Sequence, residues 1–110
     1  MDINSAAMTV ILHAGNAREY IDESLDLMAS FDFQAAEKSL DLADSEILKA
    51  HNGQTEIIQQ QAAGEDMEYS LLFIHAQDTM MTINTELHLT KKMLPIFQTL
   101  FSQMKGEKVQ

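Results

Sequence analysis

The sequence predicts an all-α fold, in which three long helices form an antiparallel, up-down-up bundle within a single domain, residues 1–110. Three observations predict this fold. Apolar residues recur at the i, i+3, i+4, i+7 spacing of a helix in three long segments. Two short segments rich in helix-ending residues separate them. The composition, 45% hydrophobic with one proline and four glycines, is typical of an ordered globular chain.

The first helix is predicted from a single apolar stripe near the N-terminus. Asn4 or Ser5 offers a side-chain oxygen suited to its N-cap. The stripe consists of Ala7, Val10, Ile11, Ala14, Ala17 or Arg18, Ile21, Leu25 and Met28. The helix is expected to end in the segment ASFDFQ, residues 29–34.

The second helix is expected to begin after Asp32, whose carboxylate suits the N-cap position. Its stripe consists of Phe33, Ala36, Leu40, Ala43, Ile47, Ala50, Gln54 and Ile58. The segment AAGED, residues 62–66, is expected to end it, because Gly64 can adopt the left-handed conformation that follows many helices.

The third helix is expected from about Asp66 to about Met104, with Gly106 beyond its end. Charges suit both ends of its dipole: Glu65, Asp66 and Glu68 at the start, and Lys91, Lys92 and Lys105 towards the end. Pro95 lacks a backbone N–H, so the helix either bends there or stops and restarts. We expect a bend.

The predicted helices are long for a monomeric bundle. At a rise of 1.5 Å per residue, about 26, 30 and 38 residues make rods of roughly 40 to 55 Å. Apolar residues also cover more than one side of the third helix. They are Leu71, Leu72, Phe73, Ile74, Met80, Met81, Ile83, Leu87, Leu89, Met93 and Leu94. One apolar face can therefore pack inside the subunit and another against a second copy.

Composition and charge exclude several classes of function. The chain contains no cysteine, which excludes disulfides, thiolate zinc sites and cysteine nucleophiles. Its formal charge of −10 opposes binding to nucleic acid or to anionic lipid surfaces. The N-terminal segment lacks the basic region of a signal peptide, and the longest apolar run is far short of the roughly 18 residues that span a membrane. We therefore expect a cytoplasmic protein that neither binds nucleic acid nor inserts into the membrane.

The segment SLLFIHAQDTMMT, residues 70–82, places a histidine and a carboxylate among large apolar residues. On a helix, His75 and Asp78 project about 60° apart along one strip of surface, with Thr79 and Thr82 continuing it. Neutral imidazole is the best nucleophile that this chain offers for covalent group transfer near pH 7. The pattern by itself favours a structural, hydrogen-bonded histidine.

This segment resembles the signature of the lactose/cellobiose-type enzyme IIA proteins of the bacterial sugar phosphotransferase system, a family that includes diacetylchitobiose components. That signature reads roughly SLL-x-x-HAQDHLMT. Three further segments resemble family motifs: AGNAR at 14–18 resembles AGDAR, FDFQAAEKSLDLA at 31–43 resembles GDF-x-x-A, and AHNGQTEIIQQQAAGE at 50–65 resembles AH-x-x-QT-x-x-IQ-x-EA-x-G. Each motif is weak alone, but the four share the family's order and spacing over nearly the whole chain.

The resemblance implies a homotrimer of three-helix subunits, nine helices in all, that acts as a phosphotransferase component. The histidine matching His75 would accept a phosphoryl group from the phosphocarrier protein HPr, as a tele-phosphohistidine. It would pass the group to the cysteine of a cognate IIB protein or domain, and the sugar would be phosphorylated downstream as it is imported through the IIC permease. The sequence does not identify the sugar or the IIB partner, because an enzyme IIA of this family does not contact the sugar.

The resemblance also implies that Asp78 supplies one ligand per subunit to a divalent cation on the trimer axis. Three converging carboxylates repel one another, so Mg²⁺ or another oxygen-binding divalent cation, or protonation, is needed there. Such an ion would be structural. Gln77 matches the same motif, and we expect it to support the site by hydrogen bonding to a backbone or ring nitrogen.

Three residues depart from the family pattern. Thr79 occupies the position where many members have a second histidine, so any contribution of that ring is absent or is replaced by that of a hydroxyl. Phe31 replaces the glycine of GDF, which changes a turn. Asn16 replaces the aspartate of AGDAR, which preserves the shape of the side chain and removes its charge.

Two other functions are compatible with parts of the sequence. A non-catalytic helical bundle could bind or regulate a partner protein through its amphipathic helices. A metal hydrolase is less well supported, because one histidine and one carboxylate on a helix do not make the three-ligand site that such chemistry needs. Of the remaining histidines, His51 is expected in a packed polar layer beside Gln54 and Thr55, and His13 and His88 are expected to be surface or packing residues. Met80 and Met81 are expected mainly to fill the core, although beside His75 they could also form an adaptable docking surface.

Overall fold

A computed structural model of the chain describes residues 2–64 and 70–106. The helices are α1, Ile3–Ala29, α2, Phe33–Ala62, and α3, Leu71–Met104. Ser70, just before α3, donates a 2.7 Å hydrogen bond to Asn4 in the first turn of α1, so α1 and α3 start side by side. Further along, Arg18 of α1 contacts Glu86 of α3. α1 and α3 therefore run in the same direction and α2 returns between them, which confirms the predicted all-α, up-down-up bundle.

The helix starts are set by three capping side chains. Asp2 caps α1 by accepting a 3.1 Å hydrogen bond from the Ser5 N–H, so the expected caps, Asn4 and Ser5, were wrong: both lie inside the first turn. Asp32 caps α2 as predicted, accepting from the Ala35 N–H at 3.2 Å.

The third helix begins later than predicted. Ser70 has an extended backbone, and its hydroxyl accepts a 3.0 Å hydrogen bond from the Phe73 N–H, so α3 begins at Leu71 and the predicted start near Asp66 was wrong. The Ser70 hydroxyl sets the start of the helix by capping it, and the acidic residues before it did not indicate this position. The acidic residues predicted for its first turn, within 65–68, lie outside the described residues.

The helix ends follow the prediction closely. Gly64 and Gly106 have φ of 85° and 74°, the left-handed conformation expected after α2 and α3. Pro95 lies inside α3, which continues to Met104, so the helix does not stop and restart there; the bend expected at Pro95 stays a prediction. Pro95 supplies no N–H for the carbonyl of Lys91.

The turn between α1 and α2 uses a phenylalanine where glycine is usual. Phe31 has φ of 65°, and the N–H groups of Phe31 and Asp32 bond to the carbonyls of Met28 and Leu27 at 3.0 and 2.9 Å. This is the hydrogen-bond pattern of a Schellman ending, in which glycine avoids a steric cost that a side chain incurs. The Phe31 ring stacks on Phe101 of α3 at 4.5 Å between centroids, which helps to offset that cost.

The core consists mainly of the predicted stripes. Its buried apolar residues are Ile3, Ala6, Ala7, Val10, Ala14, Ala17, Ile21, Met28, Ala36, Leu40, Ala43, Ala50, Ile57, Phe73, Ala76, Met80, Ile83, Leu87 and Leu94. One prediction on α2 was wrong: Ile58 is 43% exposed, whereas Ile57 is fully buried. Two successive steps of four residues from Ala50 overshoot the helical repeat of 3.6, and a step of seven to Ile57 keeps the stripe on the core side.

The third helix exposes an apolar face as well as burying one. Its exposed large apolar residues are Leu71, Ile74, Met81, Leu89, Ile96, Phe97, Leu100 and Met104. The prediction that α3 is apolar on more than one side is therefore confirmed. Across residues 2–64 and 70–106, no helix is both long enough and apolar enough to cross a membrane.

Candidate functional site

A shallow depression of about 250 Å³ lies beside α3 and contains the predicted histidine. His75, Asp78, Thr79 and Thr82 line it from α3, and Arg18 lines it from α1. His75 and Asp78 are both exposed. The structure therefore brings together the histidine and the carboxylate that the sequence predicted on one strip, with the two threonines beside them.

The fold of α3 turns His75 outward. Phe73, Ala76 and Met80 are buried in the core, and they fix the rotation of the helix about its axis. His75 lies between them on the opposite side, in the second turn after the Ser70 cap. A ring held this way is accessible to another protein without any rearrangement of the helix.

The Thr79 hydroxyl is engaged within α3. It donates a 2.8 Å hydrogen bond to the backbone carbonyl of His75, one turn earlier. A hydroxyl has one proton to donate, so while this bond persists Thr79 cannot also donate to an anion in the depression. Thr79 therefore does not replace a second imidazole as a donor.

Arg18 is a site residue that sequence reasoning did not identify, because the stripe of α1 placed it only as an alternative to Ala17. Its guanidinium forms a two-point contact with Glu86 of α3, from Nη2 to Oε1 at 2.8 Å and from Nε to Oε2 at 3.2 Å. The hydrogen bond and the charge of Glu86 raise the pKa of Arg18, and an arginine side chain is cationic at ordinary pH in any case. A signal was available: Arg18 is the last residue of the AGNAR segment.

Gln77 lies apart from this depression. Its side chain is half-buried, and the residues that line the depression do not include it. The side chain of Gln77 therefore does not line the space in front of His75, where we expected it to support the site.

One subunit does not by itself assemble a metal site from its described residues. Within residues 2–64 and 70–106, no group of three or more histidine, aspartate or glutamate side chains is placed to hold a metal ion. Asp78 offers an exposed carboxylate, which suits a hard cation such as Mg²⁺, but further ligands have to come from other copies or from water.

The other histidines lie outside this depression. His51 is exposed and lines a separate surface hollow, so its predicted place in a packed polar layer was wrong. The residue that does enter an inter-helix polar contact is His13, whose Nδ1 lies 2.6 Å from Oε2 of Glu46. Burial opposes ionisation of Glu46, but the hydrogen bonds from His13 and Asn16 and the charge of Lys49 outweigh it and lower the pKa of Glu46.

The two methionines beside the site face different ways. Met80 is 3% exposed and fills the core, as predicted, whereas Met81 is 57% exposed. Met81 therefore does not serve the core of the subunit.

A family model and known proteins match this chain over most of its length. The family model described as "PTS system, Lactose/Cellobiose specific IIA subunit" matches residues 5–98. The lichenan-specific phosphotransferase enzyme IIA component of Bacillus subtilis is 37% identical over 94 residues, which cover 86% of each chain.

Solved structures give the same result. The cellobiose-specific enzyme IIA from Bacillus anthracis superposes with a TM-score of 0.87 and 32% identity, over 93% of this chain and 94% of that one. The chitobiose IIA of Escherichia coli, solved in complex with HPr, superposes with a TM-score of 0.79 and 27% identity, over 91% and 97% of the two chains. The matched region includes the whole depression.

Proposed function

The chain belongs to the lactose/cellobiose-specific IIA family of the sugar phosphotransferase system, and we propose that His75 is the residue that carries its phosphoryl group. A IIA component is a phosphotransferase component and a phosphoryl carrier in sugar uptake. The observation that supports His75 is its position: it is an exposed imidazole in a depression of α3, within the family's signature segment. We propose Nε2 as the reacting nitrogen, which makes the carrier a tele-phosphohistidine.

The chemistry needs little beyond an accessible ring. The lone pair of an unprotonated imidazole nitrogen attacks phosphorus, and a new N–P bond forms as the bond from phosphorus to the donor atom breaks. The donor atom keeps the bonding electron pair. In the second transfer a thiolate attacks the same phosphorus, the S–P bond forms, and His75 leaves as imidazole.

We propose phosphorylated HPr as the donor and the cysteine of a cognate IIB protein or domain as the acceptor. The Escherichia coli chitobiose IIA, which shares this fold, was solved in a complex with HPr. Through IIB the phosphoryl group reaches the sugar at the IIC permease. A cytoplasmic location, where the carrier meets its donor, is part of this proposal.

We also propose that the chain is a homotrimer in which α3 packs against its copies. Ile74, Asp78 and Met81 are all exposed and follow the alternating steps of four and three residues by which a helix faces its copies in a coiled coil. The two apolar residues would then flank Asp78 along the axis. Three Asp78 carboxylates would meet there and bind one Mg²⁺ or similar divalent cation, whose role would be structural.

Sedimentation tests the assembly. Each subunit carries −10, so the apolar contact has to overcome substantial repulsion, and we expect Mg²⁺ and salt to strengthen the trimer. A trimer at micromolar subunit concentration is the expected result. A monomer under all these conditions would contradict the assembly, but it would leave the role of His75 untouched.

Transfer from phosphorylated HPr tests the carrier role. We expect the wild-type chain to gain one phosphoryl group that is labile in acid and stable in base. His75→Ala should gain none. His88→Ala is the matched control, because His88 is also an exposed histidine of α3 but lies outside the depression, and it should be labelled at the wild-type rate. Labelling of His75→Ala would overturn the assignment.

A further inference from the structure

Phosphorylation of His75 creates an electrostatic problem in the depression. The phosphoryl group brings roughly two negative charges at neutral pH. Asp78 lines the same depression, and the whole subunit already carries −10. The two threonines there are neutral. A cation on this surface would therefore stabilise the phosphorylated state.

Arg18 is the one cation among the described residues that line the depression. We propose that Arg18 binds the oxygens of the phosphoryl group on His75, and that Glu86 holds the guanidinium at the edge of the depression until the group arrives. This inference rests on the proposed function of His75. It adds a binding residue on α1 to a site that the sequence placed entirely on α3.

The geometry of the Arg18 side chain suits this role. Two of its N–H groups are bonded to Glu86, and the rest of its five donors remain for another acceptor. Arginine binds phosphoryl oxygens through the same planar, two-point arrangement that it uses here on a carboxylate. The guanidinium is therefore already oriented by α3 before phosphorylation.

Little free energy is needed for Arg18 to exchange Glu86 for a phosphoryl group. Arg18 and Glu86 have side chains that are 47% and 42% exposed, and an ion pair as exposed as this contributes little to stability. A phosphoryl dianion carries more charge than one carboxylate, so it competes well for the guanidinium. Arg18 lines the same depression as His75, so the proposed transfer of its guanidinium from Glu86 towards the phosphoryl group takes place by rotation about its side-chain bonds.

The chain supplies a matched control for this ion pair. Lys91 of α3 and Asp44 of α2 form a second exposed inter-helix pair, with side chains 42% and 45% exposed. Neither residue lines the depression. Lys91→Gln therefore removes the same kind of contact, and the same unit of positive charge, at a distance from His75.

The test is a ³¹P NMR titration of the phosphorylated protein. Wild type, Arg18→Gln, Glu86→Gln and Lys91→Gln are labelled to completion with phosphoramidate, a small donor that needs no protein docking. A bound guanidinium favours the dianion, so Arg18→Gln should raise the last phosphoryl pKa by about one pH unit. Lys91→Gln should leave it unchanged, and Glu86→Gln should not raise it. Arg18→Lys, which keeps the charge without the planar fork, should fall between wild type and Arg18→Gln.

The outcomes separate the two proposals. If the wild-type chain acquires no phosphoryl group on His75, the proposed function fails. If it does, but Arg18→Gln titrates like Lys91→Gln, only the role of Arg18 is overturned. A purely structural ion pair would make Arg18→Gln and Glu86→Gln behave alike, and that result would also overturn it. We expect transfer from phosphorylated HPr to slow about tenfold in Arg18→Gln, since the same cation faces the phosphoryl group during transfer.

Discussion

Thr79 donates its hydroxyl to the backbone carbonyl of His75, with 2.8 Å between the two oxygens. The bond ties the residue that departs from the family pattern to the residue that we propose as the carrier. It also commits the only proton of that hydroxyl to the helix backbone. The departure at Thr79 therefore removes a ring without adding a donor to the depression.

Thr79→Val should retain phosphoryl transfer from phosphorylated HPr within about twofold of wild type. Valine has the shape of threonine and loses only a hydroxyl whose proton is already used. Thr85→Val is the control, because Thr85 makes the same contact with the carbonyl of Met81 away from the depression. A tenfold loss in Thr79→Val, with Thr85→Val unaffected, would show that the hydroxyl does act on the phosphoryl group.

Substitutions of Phe31 should distinguish backbone strain from aromatic packing. Both Phe31→Gly and Phe31→Ala lose the stack on Phe101. Glycine accepts the observed φ of 65° freely, whereas alanine still incurs the steric cost, so we expect the glycine variant to be more stable by about 1 kcal/mol. Urea denaturation at one fixed subunit concentration measures the difference. Equal unfolding midpoints would mean that the turn relaxes out of the left-handed conformation.

Glu46 should contribute to loss of stability in acid. Its pKa is lower in the folded chain than its ordinary value of 4.5, so the unfolded chain binds the proton more readily. The stabilisation is present above the ordinary value and is lost as the pH falls through the lowered one. In Glu46→Gln the free energy of unfolding should decline less steeply on acidification over that range. Glu37→Gln, an exposed change on the same helix, is the control, and a decline in Glu46→Gln as steep as in this control would contradict the prediction.

Asp78→Asn should make assembly independent of divalent cations. If three carboxylates meet around one ion, Mg²⁺ stabilises the wild-type trimer through binding to the folded state. The melting temperature of wild type should therefore rise with Mg²⁺ and fall with a chelator, whereas that of Asp78→Asn should not change. Asp41→Asn, an exposed aspartate of α2, should respond to Mg²⁺ as wild type does. A Mg²⁺ response in Asp78→Asn equal to wild type would exclude this carboxylate as the ligand.

Local sequence signals predicted most of the fold. Helix caps, helix ends and apolar stripes depend on residues that are close together in the chain, so the sequence predicts them. This holds for the cap Asp32, for the helix ends at Gly64 and Gly106, and for the stripes of α1 and α2. The start of α3 was predicted too early because the acidic residues before it suggested a helix start, whereas the Ser70 hydroxyl provides the cap. Ile58 was misplaced because two successive steps of four residues from Ala50 exceed the helical repeat of 3.6 residues.

The candidate site was only half predicted, for a physical reason. His75, Asp78 and the threonines lie on one helix, where spacing alone brings them together. Arg18 reaches the depression through the packing of α1 against α3, and no periodicity within α1 reveals its contact with Glu86. The pairing of His13 on α1 with Glu46 on α2 was not predicted for the same reason.

The most direct test of the central claim locates the phosphoryl group within the chain. After incubation with phosphorylated HPr, the protein is digested at alkaline pH and its peptides are analysed by mass spectrometry. We predict one phosphoryl group per subunit, on His75, with none on His13, His51 or His88. A group found on another histidine, or one that survives acid, would contradict the claim.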